Sequence, residues 1–243
     1  AKIATMMAMP AAKGLFHRAI TMSGQQVTAS GPLNATRRAQ AFLAKLARDP
    51  ADVPVEKLVE ALDAIDPILG GGVYFGPVLD GRSLTRHPFY PDAHPLGRAI
   101  PMMLGNTVAE TRGFFPPSHR VFVGMEWSNL AERLGPEMRV DIAPEQVVER
   151  YRAWFPAAGP AEVFIRATTA GRSWRGQVIE AEERAKAGVP AFVYQLDFDN
   201  AMHTDDIGLA FGTAQDMPPA KRALSDTMMD AFLRFAKTGD PGW

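Results

Sequence analysis

Apolar residues fall along the chain in two rhythms. The first is the short unbroken run: Ala19-Ile20-Thr21-Met22, closed by Ser23-Gly24; residues 100–104, closed by Gly105-Asn106; and residues 191–196, which follow Pro190. Runs of this length bounded by turn residues predict buried strands. The second rhythm is three-and-four spacing. It predicts a helix capped by Asn34 and carrying Ala39, Phe42, Leu43 and Leu46, and another over 55–65 with Leu58, Val59, Leu62 and Ile65 as its stripe. Further helices are expected over 127–134, over 144–154 behind Pro144 and Glu145, over 161–187 up to Gly188, and over 218–237 up to Gly239. The Gly- and Pro-rich stretch 70–101 reads as an irregular surface excursion.

Strands separated by helices require crossover connections, so the class is α/β with a parallel sheet. Three strands are a thin sheet for 243 residues, which leads to the expectation that part of the sheet lies outside the chain. No repeat or low-complexity block suggests a solenoid or a linker.

Composition narrows the partners. Apolar residues are 47% and charged residues 22%, a globular balance far from that of a disordered chain. The 26 Lys and Arg against 27 Asp and Glu provide no basic field, so neither nucleic acid nor an anionic membrane is an expected partner. No run of about 18 apolar residues predicts a membrane span, and the Met-rich start, broken by Pro10, does not read as a signal peptide. With no cysteine, a disulfide framework, a thiolate metal site and a cysteine nucleophile are excluded.

Open parallel sheets bind ligands at the carboxyl ends of their strands. The first predicted strand delivers Ser23 there, the second is followed by Glu110, and the third by His203. A hydroxyl, a carboxylate and an imidazole in the order Ser, Glu, His form the constellation in which His takes a nucleophile's proton and the carboxylate holds the His tautomer. Ser23 lacks the setting of a nucleophile, because it has Met22 before it and Gln25-Gln26 after Gly24. No G-x-S-x-G pentapeptide occurs anywhere in the chain.

The motifs carry a resemblance. Pro10, Ala12-Lys13-Gly14-Leu15-Phe16-His17-Arg18-Ala19-Ile20 and Ser23-Gly24 resemble the stretch that follows the nucleophile elbow in type-B carboxylesterases. Phe75-Gly76-Pro77-Val78-Leu79-Asp80-Gly81, the segment from Pro101 to Phe115, the segment around Met202-His203 with Phe211-Gly212, and Phe235-Ala236-Lys237-Thr238-Gly239-Asp240-Pro241 are similar to later motifs of the same family. The resemblance implies the C-terminal part of an α/β-hydrolase fold over 1–243, truncated at both ends, with 34–99 and 116–190 as helical or irregular excursions. It implies Glu110 as triad acid, His203 as triad base and Ser23 as a hydrogen-bond partner of the acid, with the nucleophile upstream of residue 1. It also implies a pocket of Val73, Phe75 and Phe114 for a small uncharged ester. The activity implied is serine carboxylesterase, with the isolated chain inactive and exposing apolar sheet edge and helix faces. The alternative is a catalytically silent binding or adhesion protein of the same fold.

Two departures stand out. Ala109-Glu110-Thr111-Arg112 replaces the family's D-E-G, and two acids, Asp205 and Asp206, follow His203. Those acids are expected to open the next helix, as Asp does in a first turn. His87 and His94 share a Pro-rich loop without the convergent spacing of a zinc site. Neither a metal nor a cofactor is expected; a metal-dependent hydrolase is the third reading. Gly70-Gly71-Gly72 follows the elbow position, where an oxyanion loop would precede it, and is read as flexible.

Overall fold

Proline and glycine set the boundaries of most elements in the computed structural model, which describes residues 2–68, 70–138, 140 and 142–243. A short helix α1 (Lys2–Met6) leads into β1 (Ala19–Met22). Helix α2 (Pro32–Leu46) starts before the expected Asn34 cap: Gly31 is the extended N-cap and Pro32, whose missing N–H is no loss there, takes the first turn. Helix α3 (Val55–Ala61) is shorter than its apolar stripe suggested. It ends at Leu62, and Ile65 instead forms an antiparallel bridge with Gly72. Gly70 and Gly71 adopt positive φ in that turn, so the triple glycine is a tight reversal.

Strand β2 (Met102–Thr107) begins later and runs further than its apolar run. Gly105-Asn106, read as its closing turn, lies inside the strand and is fully enclosed by neighbours. Packing explains the glycine: a Cβ at Gly105 would stand 1.8 Å from Cζ of Tyr194. Helices α4 (Leu130–Met138) and α5 (Pro144–Trp154) follow, α4 three residues later than predicted because residues 126–129 form a turn closed by Asn129 Oδ1 on the Glu126 N–H at 3.0 Å. The expected helix over 161–187 is one rod in three pieces: α6 (Pro160–Thr169), a π turn (Ala170–Trp174) and α7 (Arg175–Lys186). Strand β3 (Ala191–Leu196), α8 (Asp205–Ala210) and α9 (Pro219–Thr238) complete the order.

The three strands form a parallel sheet in the order β1-β2-β3, with Ala19 opposite Met102 and Met102 opposite Ala191. Every residue of β2 is buried, as a central parallel strand requires. Its side chains alternate between two cores. Met102 and Leu104 pack with Ala4, Met7, Ala19 and Phe89 on one face, and Met103 packs with Ala210, Phe232 and Phe235 on the other. A separate core of Leu130, Leu134, Val148, Val163 and Phe164 joins α4, α5 and α6. No helix among the described residues is long and apolar enough to cross a membrane.

Helix α7 meets the sheet with polar side chains. Gln177 Nε2 donates to the carbonyls of Leu104 (3.5 Å) and Tyr194 (3.3 Å). The fully buried Arg184 donates to the carbonyls of Gly97, Ile100 and Pro190, the shortest at 2.6 Å to Ile100. Glu180, also fully buried, accepts the Gln26 N–H through Oε1, while its Oε2 has no hydrogen-bond partner among the described residues. Burial pushes the Glu180 carboxyl up to about 8, against the pull of the Gln26 N–H and of Arg184.

Candidate active site

The site forms where β1 and β2 end side by side. Beyond Met22, the Ser23 N–H continues the ladder to the Gly105 carbonyl at 2.7 Å, and Ser23 itself turns left-handed (φ 54°). Beyond Thr107, the Val108 N–H bonds the Leu196 carbonyl, the Ala109 N–H bonds the Ala201 carbonyl and the chain tightens into a 3-10 turn, Glu110–Gly113. The His203 N–H closes onto the Glu110 carbonyl at 3.3 Å, which fixes the loop after β3 against the turn after β2.

These backbone bonds bring the three predicted side chains together. Glu110 is buried (3% exposed), and its two oxygens have separate partners. Oε2 accepts from Ser23 Oγ at 2.6 Å, from Thr107 Oγ1 at 2.6 Å and from the Thr107 N–H at 3.4 Å. Oε1 pairs with His203 Nδ1. Two hydroxyl donors on one oxygen satisfy the buried charge and leave the other oxygen to orient the imidazole. Phe114 lies against the His203 ring, centroids 4.8 Å apart, and His203 keeps a partly exposed edge with Nε2 free of protein hydrogen bonds among the described residues. This arrangement can hold an imidazole in the Nδ1–H tautomer with Nε2 presented as a base.

Asp206 and Tyr194 make a contact that the sequence did not predict. Asp206 opens α8 as expected, but it also turns inward: it is 1% exposed and accepts from the Tyr194 hydroxyl at 3.0 Å. Burial raises its carboxyl above the usual carboxylate range, the Tyr194 hydrogen bond opposes this, and the nearby Glu110 charge adds to it. Burial and the Asp206 charge keep the Tyr194 phenol protonated, so it remains a donor. Asp205, the exposed acid of the pair, accepts the Met202 N–H at 2.8 Å and shapes the loop before His203.

Of the expected pocket residues, Phe114 lies against the His203 ring. Val73 is buried, its N–H on the Ala64 carbonyl, and Phe75 packs edge-on against Phe42 of α2, 5.3 Å between centroids. The two loop histidines have local roles: His87 Nδ1 accepts the Ala29 N–H and His94 Nδ1 accepts the Leu96 N–H.

A model of the Carboxylesterase family matches residues 1–243. The para-nitrobenzyl esterase of Bacillus subtilis is 27% identical over 263 residues, covering 98% of this chain and 51% of that protein. A carboxylesterase of Geobacillus stearothermophilus superposes with a TM-score of 0.79 at 26% identity, over 99% of this chain and 53% of the other. A PNB esterase structure gives 0.75 at 26% identity, over 99% and 53%. The chain thus spans about half the length of the relatives it matches.

Proposed function

The chain belongs to the carboxylesterase family and has part of an α/β-hydrolase fold, and from that premise we propose that it supplies the acid and base of a serine esterase. The observation that carries the reading is the Ser23–Glu110–His203 relay, in which a buried carboxylate with its second oxygen doubly donated holds Nδ1 of a half-exposed imidazole. In the proposed reaction a serine hydroxyl from outside these residues loses its proton to His203 Nε2 as Oγ attacks the ester carbonyl. Glu110 steadies the imidazolium that results. The tetrahedral intermediate collapses as His203 returns the proton to the leaving alcohol. Water, deprotonated by the same nitrogen, then releases the acid from the acyl-enzyme. The Phe114 ring, 44% exposed beside His203, gives the reacting neutral ester an apolar wall.

No elbow pentapeptide is present in these 243 residues, so alone they are expected not to turn over ester, because triad members act as a unit. The test uses the product of the complete reading frame that contains them, with p-nitrophenyl butyrate as substrate and a fluorophosphonate to label an activated serine. His203→Gln and Glu110→Gln are each expected to lower kcat by about three to four orders of magnitude while leaving the melting transition in place. Near wild-type turnover in both variants would overturn the assignment. An unlabelled, inactive wild-type protein would favour the silent binding protein.

A further inference from the structure

Beside the relay lies a cavity of about 590 Å³ that the triad chemistry does not use. Its walls are mostly apolar: Phe115, Pro117, Phe122, Ile165 and Met202 contribute, and it reaches the relay through Gly113 and Met202. Met202 directly precedes His203, and a Cβ placed on Gly113 would stand 3.6 Å from the His203 Cβ. The wall formed by Gly113 and Met202 thus borders His203 on its Cβ side.

One cation stands in that wall. Arg112, two residues after Glu110 and one beyond the segment 109–111 that departs from D-E-G, reaches Glu162 Oε2 through one terminal nitrogen at 2.8 Å. Its Nε is buried and has no hydrogen-bond partner among the described residues. Glu162 is already shared: Arg166 Nε approaches Oε1 at 3.0 Å. Arg166 stands outside the cavity lining, and by sharing the Glu162 carboxylate it leaves the Arg112 guanidinium in the wall only partly neutralised. A guanidinium in that state favours a carboxylate that can receive two parallel N–H bonds.

We propose that this cavity is a specificity pocket for an ester arm ending in a carboxylate, with Arg112 as its determinant, so that the preferred substrate is a monoester of a short dicarboxylic acid. The proposal rests on the esterase reading for its chemistry and departs from the expectation of an uncharged ester. The reacting carbonyl is neutral, while the distal end of the acyl arm carries the charge. No new bond chemistry is needed, since the arm is held by Arg112 while its ester meets His203.

The test runs on the complete reading-frame product with two matched pairs. Hydrolysis compares mono-p-nitrophenyl glutarate with p-nitrophenyl valerate. Binding compares the unreactive glutaric acid monoanilide with valeranilide by calorimetry. The wild type is expected to favour the acidic member at least about tenfold in both kcat/KM and Kd. Arg112→Met brings both ratios to about one, Arg112→Lys retains part of the preference, and Glu162→Gln, which frees the guanidinium, increases it. Equal binding of the two anilides by the wild type, or ratios unchanged in Arg112→Met, overturns the proposal. A fall in Glu162→Gln as large as in Arg112→Met also overturns it, since that is what a merely structural pair gives. If neither ester is hydrolysed, the esterase reading has failed, and the anilide pair still decides the pocket.

Discussion

Ser23 holds an unfavourable backbone conformation and makes a favourable side-chain contact, and two substitutions separate these contributions. Its φ of 54° is left-handed, which costs a non-glycine residue about 1–2 kcal/mol. Its hydroxyl donates to Glu110 Oε2 at 2.6 Å, and hydrogen bonds to charged groups contribute roughly 1.5–3 kcal/mol. Ser23→Ala removes the donor and keeps the backbone cost. Ser23→Gly removes the donor and relieves that cost, less the roughly 0.5–1 kcal/mol that glycine loses through its freer unfolded chain. The glycine variant should therefore be the more stable of the two by about 0.5–1 kcal/mol.

Activity should not follow that order. Both variants leave Oε2 with only the Thr107 donors, so both should lose about tenfold in kcat/KM, roughly 1.4 kcal/mol of transition-state stabilisation. The loss belongs in kcat, with KM little changed, because in the proposed reaction the Glu110–His203 pair acts on the proton in flight. Thermal melts and p-nitrophenyl butyrate kinetics on the complete reading-frame product read both quantities. If Ser23→Gly regained activity along with stability, the backbone conformation would matter and the hydroxyl would not. A wild-type kcat/KM in Ser23→Ala would remove Ser23 from the site altogether.

Three other expectations rest on single contacts. Glu180 has its carboxyl raised to about 8 in the folded chain against 4.5 in the ordinary range, so the folded state binds the extra proton and stability falls as pH rises from about 4.5 to about 8. Glu180→Gln should flatten that slope in urea titrations across this window, and an unchanged slope would show that Glu180 is not its source. Gly105→Ala drives a methyl into the Tyr194 ring and should displace the Tyr194–Asp206 hydrogen bond. A loss of about 2 kcal/mol or more, together with reduced kcat, is expected from overpacking at this position, and wild-type melting would contradict the contact. Arg184→Leu strips the carbonyls of Gly97, Ile100 and Pro190 of their donor and should cost about 3 kcal/mol or more by chemical denaturation; a neutral effect would mean that water replaces the guanidinium.

The parts of this chain legible in the sequence are those with local punctuation. Pro144 and the Gly188–Pro190 break bounded α5 and β3 correctly, and the rule that ligands meet strand ends brought Ser23, Glu110 and His203 to one place before any coordinates. Strand β2 was misjudged because Gly105 and Asn106 are turn residues by composition, whereas here the glycine is demanded by a ring from the neighbouring strand. Asp206 could be assigned to a helix start from its neighbours, but its bond to Tyr194 depends on which face of β3 the tyrosine occupies, a matter of register. Thr107 was equally silent, since a threonine in a strand is ordinary until a carboxylate folds back onto it. The Val73 and Phe75 assignment came from resemblance alone, and their packing on the α2–α3 region follows from contacts that the motif does not encode.

The π turn at Ala170–Trp174 makes its long rod a phase shifter. Upstream of it, Thr168 and Thr169 meet Thr111 in the 3-10 turn of Glu110, at 2.7 and 2.9 Å between hydroxyls. Downstream, Gln177 and Arg184 must face the strands. An uninterrupted α-helix advances about 100° per residue and would reach one target while missing the other; the wider turn absorbs one residue and brings both into line. Deleting a residue there would restore ideal helix geometry and at the same time rotate the sheet-facing side chains out of register with the turn that holds the acid.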